Sequence, residues 1–224
     1  MEINVLKKIL SANDAVAEVT RNLFSNKKVF AVNLMGSPGS GKTAIIETTI
    51  KLLKGRYRIG VIEGDIFSSM DAERISSLKV PVVQINTGPF GGDCHLEAGW
   101  VKDAALSLNL KEIDILFIEN VGNLVCPAEF DIGADTNIVV LSLPEGDDKP
   151  IKYPLMFRTS EVMLISKLDL LKVLKMDITR LLKNAEKVNP LLTIFKVSAM
   201  SGEGFDLWSE WLMKQINKKT GEKV

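Results

Sequence analysis

At 224 residues, 46% of them hydrophobic, the chain is long enough for one domain with a substantial core. Lys plus Arg and Asp plus Glu number 28 each, so the formal charge is zero and no basic excess marks a nucleic-acid partner. Met1-Glu2-Ile3-Asn4 lacks the basic lead-in of a signal peptide, no stretch approaches the ~18 apolar residues of a membrane span, and two cysteines do not make a disulfide framework, so the cytoplasm is the expected compartment.

In chain order, residues 3–24 carry Leu6, Ile9, Leu10, Val16, Ala17 and Leu23 at helical spacing, an amphipathic helix. Residues 28–35 are apolar and β-branched and read as a strand. GSPGSG follows as a loop, then a helix over 42–54 stopped by Gly55. Further strands are expected at 58–63, 80–86, 113–119, 137–143, 161–166 and 192–197, and helices at 97–109, 177–189 and 205–217. Several strands lack apolar–polar alternation, as strands covered on both faces must. Strands alternating with helices predict an α/β fold, a doubly wound and mostly parallel sheet of about seven strands. No repeat or long linker divides the chain, so residues 1–224 are expected to form a single domain with 1–25 as a helix packed on it.

Gly36-Ser37-Pro38-Gly39-Ser40-Gly41-Lys42-Thr43 fits the phosphate-loop pattern G-x-x-x-x-G-K-[ST]. Its glycines let successive backbone N–H groups face phosphates, and the following helix N-terminus adds positive potential. Lys42 is expected at the β- and γ-phosphates and the Thr43 hydroxyl on Mg²⁺. A glycine-rich turn matching by chance would not also sit between a strand and a helix. Ile115 to Ile118 lead to Glu119, a second group for Mg²⁺, and Gly122 follows where its N–H can meet a γ-phosphate. Glu63-Gly64-Asp65 ends another strand, with Asp65 as the next candidate for the water shell of Mg²⁺. Asp71 is either a switch-segment acid or the N-cap of a helix over 72–78. Asp65 and Asp71 are the acids available to the hydrolytic water, because no glutamine follows Gly122; slow turnover is expected.

Ser166-Lys167-Leu168-Asp169 is similar to the guanine-reading N-K-x-D element. The Asp169 carboxylate can accept from guanine N1–H and N2–H₂, donors that adenine lacks. Lys167 can lie along the base, and Ser198-Ala199 at a strand end is similar to the loop whose backbone meets guanine O6. Ser166 departs from the usual Asn. The nucleotide expected is GTP.

The sole histidine, His95, follows Cys94, and Cys126 lies four residues after Gly122. Two thiolates and an imidazole suit a borderline-soft ion such as Ni²⁺ or Zn²⁺, and three ligands leave an open site completed by water or by a second copy across a two-fold axis. A buried cysteine beside a surface histidine is the plainer alternative.

Ile118-Glu119-Asn120-Val121-Gly122-Asn123-Leu124-Val125-Cys126-Pro127, Cys94-His95-Leu96, Glu145-Gly146-Asp147-Asp148-Lys149-Pro150 and Lys152-Tyr153-Pro154 together resemble the hydrogenase nickel-incorporation GTPases, the HypB family, over nearly the whole chain. The resemblance implies a GTPase that forms a nucleotide-dependent homodimer and helps deliver nickel to the [NiFe]-hydrogenase active site. It implies a metal site of Cys94, His95 and Cys126 at the dimer interface, and Lys152 approaching guanine from the partner subunit. It also implies a nickel-donating chaperone and the hydrogenase large-subunit precursor as partners, and neither nucleic acid nor membrane. The chain lacks the His-rich tract and N-terminal cysteine motif of some relatives, so nickel is expected from a partner rather than from storage. The loop 89–93 before Cys94 is longer than the family pattern and could shift the metal site. Rival readings are a urease-type nickel GTPase, a P-loop small-molecule kinase and a regulatory GTPase without a metal role. The 123–127 string opposes the first, and Asp169 opposes the second.

Overall fold

The computed structural model describes residues 4–66, 69–88, 94–174 and 176–221, and the side chains from residue 10 onward. The expected side chains Leu6 and Ile9, and the loop 89–93, lie outside the described residues.

Seven strands form one sheet: β1 (Phe30–Met35), β2 (Ile59–Asp65), β3 (Val82–Asn86), β4 (Ile115–Glu119), β5 (Thr136–Ser142), β6 (Val162–Ser166) and β7 (Thr193–Lys196). Their order is β3-β2-β4-β1-β5-β6-β7, and every pairing is parallel. Parallel neighbours need crossovers, and these are the helices. They are α1 (Asn4–Lys27), α2 (Lys42–Leu53), α3 (Met70–Ser76), α4 (Ala98–Ser107), α5 (Lys149–Lys152), α6 (Pro154–Arg158), α7 (Leu171–Leu174), α8 (Ile178–Val188) and α9 (Phe205–Thr220). None of the described helices is long and apolar enough to cross a membrane.

The missing alternation in the strands has the expected cause. Val32, Leu34, Ile115, Phe117, Ile138 and Val140 pack on one face with Ile46 and Ile50 of α2 and Trp208 and Leu212 of α9. Their neighbours Ala31, Leu116 and Ile118 face the other way, against Phe24 of α1 and Val101 and Ala105 of α4. Further along that second face, Val139, Leu141, Met163 and Ile165 meet Phe157 of α6 and Leu181 of α8. Each fully buried aliphatic or aromatic side chain contributes about 1.5–3 kcal/mol relative to exposure. Trp208, the largest of them, also satisfies its ring N–H on the Thr49 hydroxyl at 3.0 Å.

α1 runs three residues past the expected end and is tied down by polar contacts as well as packing. Asn13 accepts from the Ala98 N–H at 3.0 Å, serving the free N-terminus of α4, and donates to the Asp131 carbonyl at 2.8 Å. The N-cap reading of Asp71 is corrected: α3 begins at Met70 with Ser69 before it, so Asp71 sits in the first turn, where its carboxylate pairs with Arg74 at 2.9 Å and lines the cleft at the strand ends. Because β2, β4 and β1 are adjacent, Asp65, Glu119 and the phosphate loop are delivered to the same edge of the sheet, outside the carboxyl ends of its strands.

Candidate functional site

The segment from Gly36 to Gly41 turns through left-handed backbone at Gly39 (φ 73°) and Gly41 (φ 97°) before entering α2. Gly36 has no room for a side chain: a Cβ there would lie 2.3 Å from the Val140 carbonyl oxygen. The first N–H groups of α2, which starts at Lys42 directly after the loop, have no partner within the helix. The Lys42 ammonium lies over the loop, 3.3 Å from the Gly36 carbonyl and 3.4 Å from that of Ser37, and 4.0 Å from Glu119. A cleft of about 350 Å³ opens here between Pro38, Lys42, Thr43, Glu63, Asp65, Asp71, Glu119 and Gly122. Gly122 packs directly on Pro38, at the phosphate side of the loop.

The Thr43 hydroxyl donates to Glu119 at 2.9 Å, so the two expected Mg²⁺ ligands meet. The third acid of this cluster is one that sequence reasoning passed over. Glu63 stands opposite Glu119 in the β2–β4 register, and carboxylate oxygens of Glu63, Asp71 and Glu119 lie within 4.8 Å of one another. Asp65 lines the same cleft, but one of its oxygens accepts from the Ile66 N–H at 2.6 Å. Glu63 and Glu119 are buried, and each keeps one oxygen without a hydrogen-bond donor, as does the buried Ser40 hydroxyl. Burial, with Glu119 beside it, pushes the Glu63 carboxyl up to about 10. Burial also raises Glu119, to about 7, against the pull of the Lys42 ammonium and the Thr43 hydroxyl. The pair therefore retains a proton, a sign that acceptors have gathered where positive charge is wanted. Orphaned oxygens, an ammonium and open helix N–H groups together fit a magnesium–phosphate group.

Beside the loop, a cleft of about 250 Å³ is lined by Gly41, Ala44, Ile45, Ser166, Lys167, Asp169, Leu170, Ala199 and Met200. The structure explains the departure at Ser166. Its hydroxyl donates to the Ser40 carbonyl at 2.5 Å, tying β6 to the phosphate loop with a side chain shorter than Asn. Lys167, in left-handed backbone (φ 58°), crosses to the Gly39 carbonyl at 2.7 Å. The Asp169 carboxylate is exposed toward the cleft and held by the Ser198 hydroxyl at 2.5 Å. Lys152 does not line this cleft: it is exposed and paired with Asp148 at 2.5 Å, which raises its pKa.

The cysteines and histidine also converge. Ligand atoms of Cys94, His95 and Cys126 lie within 4.8 Å of one another, and the two thiol sulfurs are 2.6 Å apart. A shared tetrahedral ion with ~2.3 Å metal–sulfur bonds would hold them about 3.7 Å apart, a small opening. The Cys94 thiol and then burial push Cys126 up to about 11, a cost that a bound cation removes. The His95 ring stacks on Phe130 with centroids 3.8 Å apart.

Three asparagine contacts that the sequence did not signal join these sites. Asn120 accepts from the Leu96 N–H at 3.1 Å, next to His95, and donates to Asn33 of β1 at 3.1 Å. Asn123 donates its main-chain N–H to the Gly36 carbonyl at 3.0 Å.

Fold and site together define a P-loop nucleotide-binding domain. Residues 30–196 match the family model described as "CobW/HypB/UreG, nucleotide-binding domain". The chain is 46% identical over 215 residues to the hydrogenase maturation factor HypB of Escherichia coli K12, spanning 96% of this chain and 72% of that protein. It is 42% identical to the probable hydrogenase maturation factor HypB of Methanocaldococcus jannaschii, over 96% of each. The crystal structure of HypB from Helicobacter pylori in complex with nickel superposes with a TM-score of 0.87 at 35% identity, covering 93% of this chain and 97% of that one. The chain belongs to the HypB family.

Proposed function

We propose that the chain is a GTP-hydrolysing metallochaperone that assists nickel delivery during [NiFe]-hydrogenase maturation, as a nucleotide-dependent homodimer. The observation that carries this reading is continuity. One short loop, from Glu119 to Cys126, starts at the acidic cluster, touches the phosphate loop at Gly122 and Asn123, and ends at the thiol pair. The family membership and the nickel-bound Helicobacter pylori relative support nickel as the cargo.

In this reading, Lys42 and the open N–H groups of α2 bind the β- and γ-phosphates. Thr43 and Glu119 hold Mg²⁺, directly or through water, with Asp65, Glu63 and Asp71 around its water shell; the ion supplies charge neutralisation on the phosphates. Asp169 selects guanine over adenine, Lys167 and Ser166 brace the loop, and the Ser198-Ala199 backbone meets O6. Gly122 donates to the γ-phosphate, which orders the loop to Cys126. Cys94, His95 and Cys126 hold Ni²⁺, or Zn²⁺ where that ion is in excess. Two chains complete the open coordination across a two-fold axis, with Lys152 reaching the partner's nucleotide. Asp65 and Asp71 are the acids placed to orient water, and without a dedicated glutamine turnover is slow. A nickel-donating chaperone and the hydrogenase precursor are the partners on either side of the transfer, in the cytoplasm.

The test is sedimentation of the full chain with GDP and with a non-hydrolysable GTP analogue, each with nickel counted per chain. A dimer that appears with the analogue, and nickel that is lost in a Cys94→Ala/Cys126→Ala double variant, are expected. A monomer in every state, or unchanged nickel in the double variant, rejects the reading.

A further inference from the structure

Asn123 holds three connections at once. Its main-chain N–H donates to the Gly36 carbonyl at 3.0 Å, forming an antiparallel bridge between the phosphate loop and the loop after β4. Its side-chain oxygen accepts from the Val125 N–H at 2.7 Å. Its side-chain NH₂ points at the Cys126 sulfur, 3.5 Å away. The amide orientation is dictated by chemistry: the Val125 N–H needs an acceptor, so the oxygen faces it and the NH₂ is left for the sulfur. Immediately before it, Gly122 is wedged against Pro38.

The geometry points to Asn123 as the positioning residue that fixes the Cys126 sulfur relative to the phosphate loop and carries the nucleotide state to it. The inference rests on the reading of Cys126 as a nickel ligand. A rigid amide one residue from Gly122 moves when that glycine moves. Because its other end donates to the sulfur, the sulfur's position and the hydrogen bond it receives change together. An N–H donated to a thiolate withdraws charge from it, which alters both the strength and the colour of a metal–sulfur bond. Partners of this kind behind a ligand typically set about 10–100-fold of metal affinity. Nothing else among the described contacts joins the phosphate loop to a thiol through a single residue.

Asn123→Ser separates the two halves of the side chain. Serine still offers an oxygen near the Val125 N–H, as such turns allow, but cannot reach the sulfur. Asn123→Ala removes both contacts and serves as the second variant. The full-length wild type, both variants and Cys126→Ala are titrated anaerobically with nickel alone, in GDP and in a non-hydrolysable GTP analogue. The readouts are affinity and the sulfur-to-nickel charge-transfer band at saturation, with GDP affinity measured alongside.

The expected result for Asn123→Ser is nickel affinity roughly tenfold lower, a displaced charge-transfer band, and a GDP-to-analogue affinity ratio drawn toward one. GDP affinity stays at the wild-type value, and Asn123→Ala behaves the same way or worse. A serine variant with wild-type affinity, band and nucleotide ratio overturns the inference. So does a loss of affinity that leaves the band and the ratio untouched, since that is a packing effect. Wild type and Cys126→Ala binding nickel alike, with no sulfur-to-nickel band in either, would instead sink the nickel-ligand reading itself, and this inference with it.

Discussion

Adding one methyl group at Gly122 puts the proposed link between nucleotide and loop under direct strain. A Cβ at that position would lie 2.9 Å from Pro38 Cγ and 3.0 Å from both its Cα and its nitrogen. Ordinary carbon contacts sit at about 3.5–4.0 Å, so the two loops must part by roughly 0.5–1 Å. Two of the three opposing atoms are backbone of the phosphate loop, which cannot swing away like a side chain tip. The displaced group is the N–H assigned to the γ-phosphate. Misplacement of about 1 Å costs on the order of 10²-fold in rate, and loss of one donor to developing charge costs a similar 10²–10³. Gly122→Ala should therefore hydrolyse GTP roughly 10²-fold more slowly in single turnover, while GDP, which has no γ-phosphate, binds as in the wild type. Gly99→Ala is the control, because a Cβ there meets no heavy atom within 4 Å. Wild-type turnover in Gly122→Ala refutes the contact; equal losses for GDP and GTP would show a collapsed phosphate loop instead.

Three further outcomes follow from the site. Glu63 has a folded-state pKa raised to about 10, so the stability its protonated form contributes is complete below the unfolded value of 4.5 and drains away as pH rises toward 10. Glu63→Gln cannot ionise, so without nucleotide its melting temperature should rise relative to that of the wild type as pH increases from 5 to 9; parallel curves would contradict this. Asp169→Ala should lose roughly 10–200-fold in GDP affinity, the worth of hydrogen bonds to a charged acceptor of about 1.5–3 kcal/mol, and should no longer distinguish GDP from ADP in competition. Retained discrimination would place guanine recognition elsewhere. Ser166→Ala strands the buried Ser40 carbonyl and should cost about 1 kcal/mol of stability together with weaker nucleotide binding, and an unchanged denaturation midpoint would show that the bond is replaceable.

What could be read from the sequence is what lies contiguously along it. The phosphate loop, Glu119, the Lys167/Asp169 element and the seven strands each declare themselves within a few residues, because backbone turns and strand cores are local. Ser166 was legible only as a departure. Its role depends on the phosphate loop passing beside the end of β6, a fact of strand order. Glu63 was hidden for the same reason: it faces Glu119 only because β2 and β4 are neighbours in register. The sequence offered Asp65 as the more conspicuous acid, yet that side chain partly serves its own loop. Asn120 and Asn123 carry no local signal of their roles, because their partners come from β1, the phosphate loop and the segment after Cys94. The short helices α5 and α6 escaped because Pro150 and Pro154 break the apolar period, although proline is well placed in a first helical turn. Asp71 had two readings, and the start of α3 at Met70 removed one of them.

The most direct test of the account is the nickel affinity of one preparation measured twice, in GDP and in a non-hydrolysable GTP analogue, under anaerobic conditions. The account predicts two different dissociation constants, both abolished in Cys126→Ala. Identical affinities in the two nucleotide states would contradict it, because the loop from Gly122 to Cys126 would then carry nothing from the phosphate to the thiols.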